Sequence, residues 1–183
     1  MKRLTGFVLL AFAGAACARP APPPPPPSTA VTASIRTPYD IGKGYITKAA
    51  EQFPEGKYGF QPTKDVRTFG QIVAHIADGN YLFCSVASGD KGPEGSVEKM
   101  ATKKADIQKA LADSFAFCDR AFAGLNDQTG AAEATIVPIN NMKTTRLGAL
   151  SFNGAHNMEH YGNLVTYMRI NKMVPPSSQG GGM

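Results

Sequence analysis

Four stretches of the chain repeat apolar residues at the three- and four-residue spacings of an amphipathic helix. They predict helix one over residues 38–53, helix two over 68–87, helix three over 97–125, and helix four from a cap at Thr144 or Thr145 to Asn171. The positions expected in the core include Ile41, Tyr45, Ala49 and Phe53 in helix one, Met100 in helix three and Met158 in helix four. Because each helix must bury its apolar face against another, the pattern predicts an all-α four-helix bundle over residues 38–178.

Local signals set the predicted helix ends. Thr37 and Pro38 supply a hydroxyl cap and a first-turn proline, and Thr68 and Gln71 have the spacing of a capping box. Residues 135–137 suit a short extended segment, but no partner strand is evident, so residues 126–143 are predicted to form a loop.

The N-terminal residues predict an export signal. Lys2 and Arg3 precede the apolar run Leu4–Ala16, which is shorter than a membrane span and has the length of a signal-peptide core. Cleavage after Ala18 would remove a signal peptide of residues 1–18, while lipidation of Cys17 or an uncleaved anchor are the alternatives. We therefore expect a periplasmic or extracellular protein that contacts the membrane only through such a lipid or anchor.

Residues 19–37 contain six consecutive prolines, Pro22–Pro27, which favour polyproline II and predict a semi-rigid linker; a disordered N-terminus is the alternative. Residues 179–183 are predicted to be a disordered tail. The chain has 19 basic and 14 acidic residues, and loss of Lys2 and Arg3 would reduce its formal net charge from +5 to +3. This small, scattered charge gives no basis for nucleic-acid binding, and no glycine-rich phosphate loop follows a strand-like run.

The chain has three histidines, and all of them fall on predicted helices beside an apolar face. His156 and His160 are one turn apart on helix four, so both imidazoles can bind one ion, and His75 lies on the flank of helix two. A bundle can bring helices two and four together, which makes a three-histidine metal site one interpretation. Ordinary core or surface histidines are the other.

Two segments give the chain a family resemblance: TFGQIVAH at residues 68–75 and HNMEHYGN at 156–163, followed by YMR at 167–169 and VPPSS at 174–178. They resemble the DinB-like family over residues 35–178. The resemblance implies that His75, His156 and His160 bind a divalent metal, for which zinc or nickel is expected. Asp78 and Tyr167 are candidates for residues that support the ligands from outside, with an exposed helix carboxylate as the alternative for Asp78. Glu159 is placed at the surface or in that outer layer and is not expected to be a general base.

The resemblance also implies an up-down-down-up helix order, in which helices two and three are parallel. In that order Cys84 and Cys118 lie at nearly the same height, and we predict a disulfide between them; two buried free thiols are the alternative.

Function follows from the implied metal and the predicted export. Family members include metal-dependent thiol S-transferases and isomerases, but low-molecular-weight thiols are kept reduced in the cytoplasm. We therefore favour a hydrolase-like enzyme that uses a metal-activated water on a small-molecule substrate. The alternatives are a thiol S-transferase and a non-catalytic metal-binding module in which the ion fastens helices two and four together. Only the resemblance suggests a homodimer.

Overall fold

The computed structural model describes residues 26–180 of the chain. The predicted signal peptide, Cys17, residues 19–25 of the predicted linker and the last three residues of the predicted tail lie outside this range. Within it the elements are α1 (Ala30–Gln52), α2 (Phe69–Ser88), α3 (Val97–Met100), α4 (Lys104–Ala123), α5 (Asp127–Gly130), β1 (Glu133–Ile136), β2 (Met142–Thr145) and α6 (Arg146–Ile170). Short 3₁₀ turns occur at Glu55–Lys57 and Pro176–Ser178. The fold is mostly helical, as the sequence predicts.

Helix α1 begins at Ala30, eight residues before the predicted start, so residues 30–37 of the predicted linker are helical. The Asp127 carboxylate accepts hydrogen bonds from the backbone N–H groups of Val31 (3.2 Å) and Thr32 (2.9 Å). These bonds satisfy N–H groups that have no partner inside a helix. Pro38 therefore lies inside the helix and does not start it.

The core positions of α1 differ in part from the prediction. Ala49 and Phe53 are buried, as predicted, but Ile41 is 46% exposed. Tyr39 and Ile46, which with Phe53 have a seven-residue spacing, are buried as well. Met158, expected in the core, is 40% exposed and lies over Gly42 of α1. Residues seven positions apart lie on one side of a helix, as residues four positions apart do. The sequence alone therefore does not decide which of the two sets is buried.

Predicted helix three is two helices, α3 and α4, separated by an extended segment at Ala101 and Lys103. At the start of α3, the Asp78 carboxylate of α2 accepts hydrogen bonds from the Ser96 hydroxyl (2.6 Å) and the Val97 N–H (2.7 Å). These contacts fasten α3 to α2. Met100, predicted to be in the core, is 67% exposed.

A two-stranded antiparallel sheet corrects the prediction of an all-α fold. Strands β1 and β2 pair from Glu133 with Thr145 to Ile136 with Met142. Asn140 and Asn141 in the intervening loop have φ of 48° and 53°, a left-handed conformation that asparagine tolerates better than most residues. The predicted cap Thr145 is confirmed, because its side chain accepts from the Gly148 N–H.

Helix α2 packs between α4 and α6, and α1 covers α6 and α4. Along the contacts between α2 and α4, the residue numbers increase in both helices, from Asn80 with Ser114 to Cys84 with Cys118. Along the contacts between α2 and α6, they increase in α2 and decrease in α6, from His75 with His160 to Phe83 with Phe152. Among the described residues, no helix is both apolar and long enough to span a bilayer.

A disulfide joins α2 to α4, and a buried layer of asparagine side chains joins α2 to α6. Cys84 and Cys118 form a disulfide with Cα atoms 5.2 Å apart. Next to it, the Asn80 side-chain oxygen accepts from Asn153 (3.1 Å) and Asn157 (2.9 Å) on α6. All three asparagines are almost completely buried. Buried polar groups require partners, and the Asn80 oxygen and the two α6 amide nitrogens pair only in this alignment of α2 with α6, which the layer therefore favours.

Candidate metal centre

The packing of α2 against α6 brings the three histidines together. The His156 Nε2 atom lies 3.3 Å from His75 Nε2 and 3.2 Å from His160 Nε2. One ligand atom from each of the three residues lies within 4.8 Å of the others. The His-x-x-x-His spacing of α6 supplies two of the imidazoles, and only the packing of the helices supplies the third.

The two distances from His156 Nε2 fit a tetrahedral metal ion. Two imidazole nitrogens that are each about 2.0–2.1 Å from a zinc ion are about 3.3 Å apart in tetrahedral geometry. Each converging Nε2 atom carries either one N–H or one lone pair, so two of the three atoms can pair in a hydrogen bond. The third Nε2 atom then has no partner among the neighbouring rings. The donor set therefore suits a divalent cation with nitrogen ligands, and three protein ligands leave a coordination position for a substrate or water.

Gly79 makes room for His156. It lies on α2, one turn after His75, and a Cβ atom at this position would be 2.8 Å from His156 Nδ1. No carbon and nitrogen atoms pack this closely without displacement. A glycine is therefore required here by the ring opposite it, because the α-helix itself favours alanine.

The outer partners of the ligands differ from the predicted ones. Glu98 of α3 lies 3.2 Å from His75 Nδ1 through its Oε2 atom, and Asn163 of α6 lies 3.3 Å from His160 Nδ1. A carboxylate at Nδ1 accepts a hydrogen bond from the Nδ1–H group, which keeps the proton on Nδ1 and leaves the Nε2 lone pair free. In the structure the Asn163 Nδ2 atom faces His160 Nδ1. A half-turn of the amide places its oxygen there instead, and in that orientation Asn163 accepts from Nδ1–H as Glu98 does.

Asp78 and Tyr167, the predicted supporting residues, contact other groups. Both oxygens of Asp78 bind the start of α3, so Asp78 affects His75 only through the position of Glu98. The Tyr167 hydroxyl donates to the Arg67 carbonyl (2.6 Å).

Asn163 and Glu98 were not predicted, and the sequence contains a signal for only one of them. Asn163 follows His160 by three residues, a helical spacing that identifies it as a neighbour. Glu98 had no such signal, because it belongs to another helix.

Burial and neighbouring imidazoles lower the basicity of His156 and His160. Burial, together with the neighbouring His160 and His75, lowers the pKa of His156 to about 4. Burial, followed by the charge of His75, also lowers the pKa of His160. Both imidazoles are therefore neutral at pH 7, which is the protonation state that binds metals.

The site opens into a cleft of about 910 Å³, a size that suits a small molecule. His160 is the histidine on its wall. The other polar and charged lining residues include Lys64, Asp65, Arg67, Gln71, Glu98, Glu159, Asn163 and Tyr167. Glu159, predicted at the surface or in the outer layer, is thus exposed within the cleft and forms no hydrogen bond with a histidine among the described residues.

Solved structures with the same fold include two DinB-like proteins and an isomerase. The protein from Bacillus cereus has a TM-score of 0.68 and 13% identity, and the alignment covers 79% of this chain and 95% of that one. The protein from Bacillus subtilis has a TM-score of 0.63 and 18% identity, with coverages of 81% and 99%.

The third structure, a mycothiol-dependent maleylpyruvate isomerase, has a TM-score of 0.61 and 13% identity. The alignment covers 73% of this chain but only 60% of the isomerase. At these identities the similarity concerns the fold. No curated protein matches the sequence. Residues 40–164, which are more than half of the chain, match the family model described as the DinB superfamily. The chain therefore belongs to the DinB superfamily, as its histidine motifs predict.

Proposed function

We propose that this protein is an exported, divalent-metal-dependent enzyme of the hydrolase type, in which His75, His156 and His160 bind the ion. The observation that carries the proposal is the convergence of three imidazole Nε2 atoms, 3.2 and 3.3 Å apart in successive pairs, beside a cleft. A divalent ion bound in this way supplies Lewis acidity and lowers the pKa of a coordinated water. The protein contributes the orientation of the rings, through Glu98 and Asn163, and a cleft for the substrate.

Zinc or nickel is the metal that we propose. Neutral imidazoles suit both ions, and the absence of a carboxylate ligand from the triad disfavours magnesium and calcium, which prefer oxygen.

Elemental analysis of protein purified without a histidine tag tests the metal proposal. We expect one equivalent of metal in the unaltered protein and loss of most of it in His160→Ala. Thr166→Ala, on the exposed side of the same helix, is the control and should retain the metal. Equal metal content in His160→Ala and the unaltered protein would contradict the proposal.

The reaction type requires a separate assay. We expect metal-dependent turnover of an ester or amide without an added thiol. Thiol-dependent turnover alone would favour the S-transferase alternative, which is supported by the similar fold of the mycothiol-dependent isomerase. A protein that binds metal and has no turnover with either substrate class would favour the non-catalytic module, which is supported by the position of the ligands between α2 and α6.

Export to the periplasm or the extracellular space is part of the proposal. It is supported by the apolar run after Lys2 and Arg3 and by the Cys84–Cys118 disulfide, since disulfides persist in oxidising compartments. Cell fractionation together with the mass of the mature N-terminus tests it, and also distinguishes cleavage after Ala18 from lipidation of Cys17. Recovery of the intact chain in the cytoplasm would contradict export.

We further propose the up-down-down-up order for α1, α2, α4 and α6. It is supported by the contacts of α2 with α4, along which the residue numbers increase in both helices. The same holds for the contacts of α1 with α6, from Gly42 with Met158 to Tyr45 with Tyr161. A homodimer without a nucleic-acid partner completes the proposal. The dimer rests on the family resemblance and is tested by light scattering.

A further inference from the structure

One carboxylate connects the candidate metal centre to an arginine in the cleft. Glu98 Oε1 accepts from Arg67 Nε at 2.9 Å, while Glu98 Oε2 lies 3.2 Å from His75 Nδ1. The Glu98 side chain is 22% exposed and that of Arg67 43%. The guanidinium is thus attached to the residue that orients a metal ligand.

The backbone of Arg67 is fixed on its C-terminal side. Its carbonyl accepts the Tyr167 hydroxyl hydrogen bond from α6 (2.6 Å). The next residue, Thr68, is the N-cap of α2 and forms a complete capping box with Gln71. Because these contacts hold both the main chain and the Nε end of the side chain, little conformational freedom remains to be lost when Arg67 binds a ligand.

The far edge of the guanidinium has no partner in the described part of the chain. The Glu98 contact uses Nε, and neither terminal nitrogen of Arg67 forms a hydrogen bond within residues 26–180. The side chain lines the same cleft as His160. The planar fork of a guanidinium matches the two oxygens of a carboxylate.

We propose that Arg67 binds a carboxylate group of the substrate beside the metal, and that Glu98 is a positioning residue for both Arg67 and His75. This inference rests on the proposed metal-dependent function and names its substrate class. Two basic and three acidic side chains line the cleft, namely Lys64 and Arg67 with Asp65, Glu98 and Glu159. A divalent ion changes the formal charge of this set from −1 to +1. The single negative charge of a carboxylate neutralises that charge, whereas the two negative charges of a phosphate leave the set with a net charge of −1.

Arginine Nε–H resonances in ¹⁵N NMR spectra test the inference on the full mature chain loaded with zinc. We expect acetate to shift the Arg67 resonance, and inorganic phosphate to bind more weakly than acetate. Arg67→Ala and Arg67→Lys should each weaken acetate binding, followed by backbone resonances, at least about tenfold, because lysine keeps the charge but lacks the fork. Lys64→Ala, which removes an exposed charge from the same cleft, should change it less than about threefold.

Glu98→Gln separates positioning from simple charge. We expect it to move the Arg67 Nε–H resonance and to weaken acetate binding, although it removes a negative charge that would repel acetate. Unchanged acetate binding in Arg67→Ala, or equal losses in Arg67→Ala and Lys64→Ala, would overturn the inference. Failure of the protein to take up metal is measured separately by elemental analysis and would overturn the proposed function instead.

Discussion

Gly79 is not a metal ligand, but its lack of a side chain makes room for one. It lies opposite His156, where a methyl group would occupy the space of the imidazole ring. Helix propensity alone favours alanine here by about 1 kcal/mol, so the space for the ring outweighs a local preference.

We predict that Gly79→Ala reduces metal affinity by about tenfold or more, because displacement of one of three ligands costs binding energy. The gain in helix propensity offsets part of the strain, so the metal-free protein should remain folded. Isothermal titration with zinc and circular dichroism measure the two effects. Gly154→Ala on α6 is the matched control, since a Cβ there has no neighbour within 4 Å, and zinc affinity should not change. Equal zinc affinities in the two variants would contradict the role of Gly79.

At the scale of elements, the start of α1 depends on a residue about a hundred positions away. Hydrogen bonds from Ser28 and Thr32 lower the pKa of Asp127 to about 2. A carboxyl group whose pKa is lower in the folded state than its usual value of 3.8 stabilises the fold above pH 4, and this contribution is lost as the pH falls through 2.

We predict that Asp127→Asn loosens the first turn of α1 at neutral pH, and that acid does the same to the unaltered protein between pH 4 and 2. Amide hydrogen exchange of residues 31–34 measures this loosening and should become faster in the variant. Asp90→Asn, at an exposed position, is the control and should leave the exchange unchanged. If Asp127→Asn exchanges as slowly as the control, the cap does not set the helix start.

The disulfide between α2 and α4 is a second contact that acts between elements. It closes a chain segment with a sequence separation of 34 residues, and loop-closure entropy gives it a stabilising effect of up to about 4 kcal/mol. We predict that Cys84→Ala with Cys118→Ala lowers the unfolding free energy in urea by up to this amount. Thiol counting on unreduced, unfolded protein should find no free thiol from either residue. Two free thiols would contradict the disulfide.

At the scale of the whole molecule, the metal ligands belong to two helices that are far apart in the sequence. An ion that binds only the folded chain stabilises it by about 3 kcal/mol when its concentration is a hundred times the dissociation constant. For a chain of this size, we predict that a chelator lowers the melting temperature by about 5–10 °C. His160→Ala should melt at the same temperature with and without the chelator. A chelator effect of the same size in the variant would show that the triad is not where the metal acts.

The sequence by itself determined the features that depend on neighbouring residues. Apolar periodicity predicts the long helices, because hydrogen bonds within a helix join residues four apart. The caps at Thr68 and Thr145 are local for the same reason, and the four-residue spacing of His156 and His160 places both on one helix face.

Only the tertiary structure decided the features that depend on contacts between distant segments. Asp127 moves the start of α1 to Ala30, and Asp78 fastens the start of α3 to α2. The packing of α2 against α6 adds His75 to the two histidines of α6, and α3 brings Glu98 to His75. No local pattern encodes these contacts, because each exists only when the helices bury their apolar faces against one another. The sequence thus supplies the ligands, while the folded chain arranges them into a site.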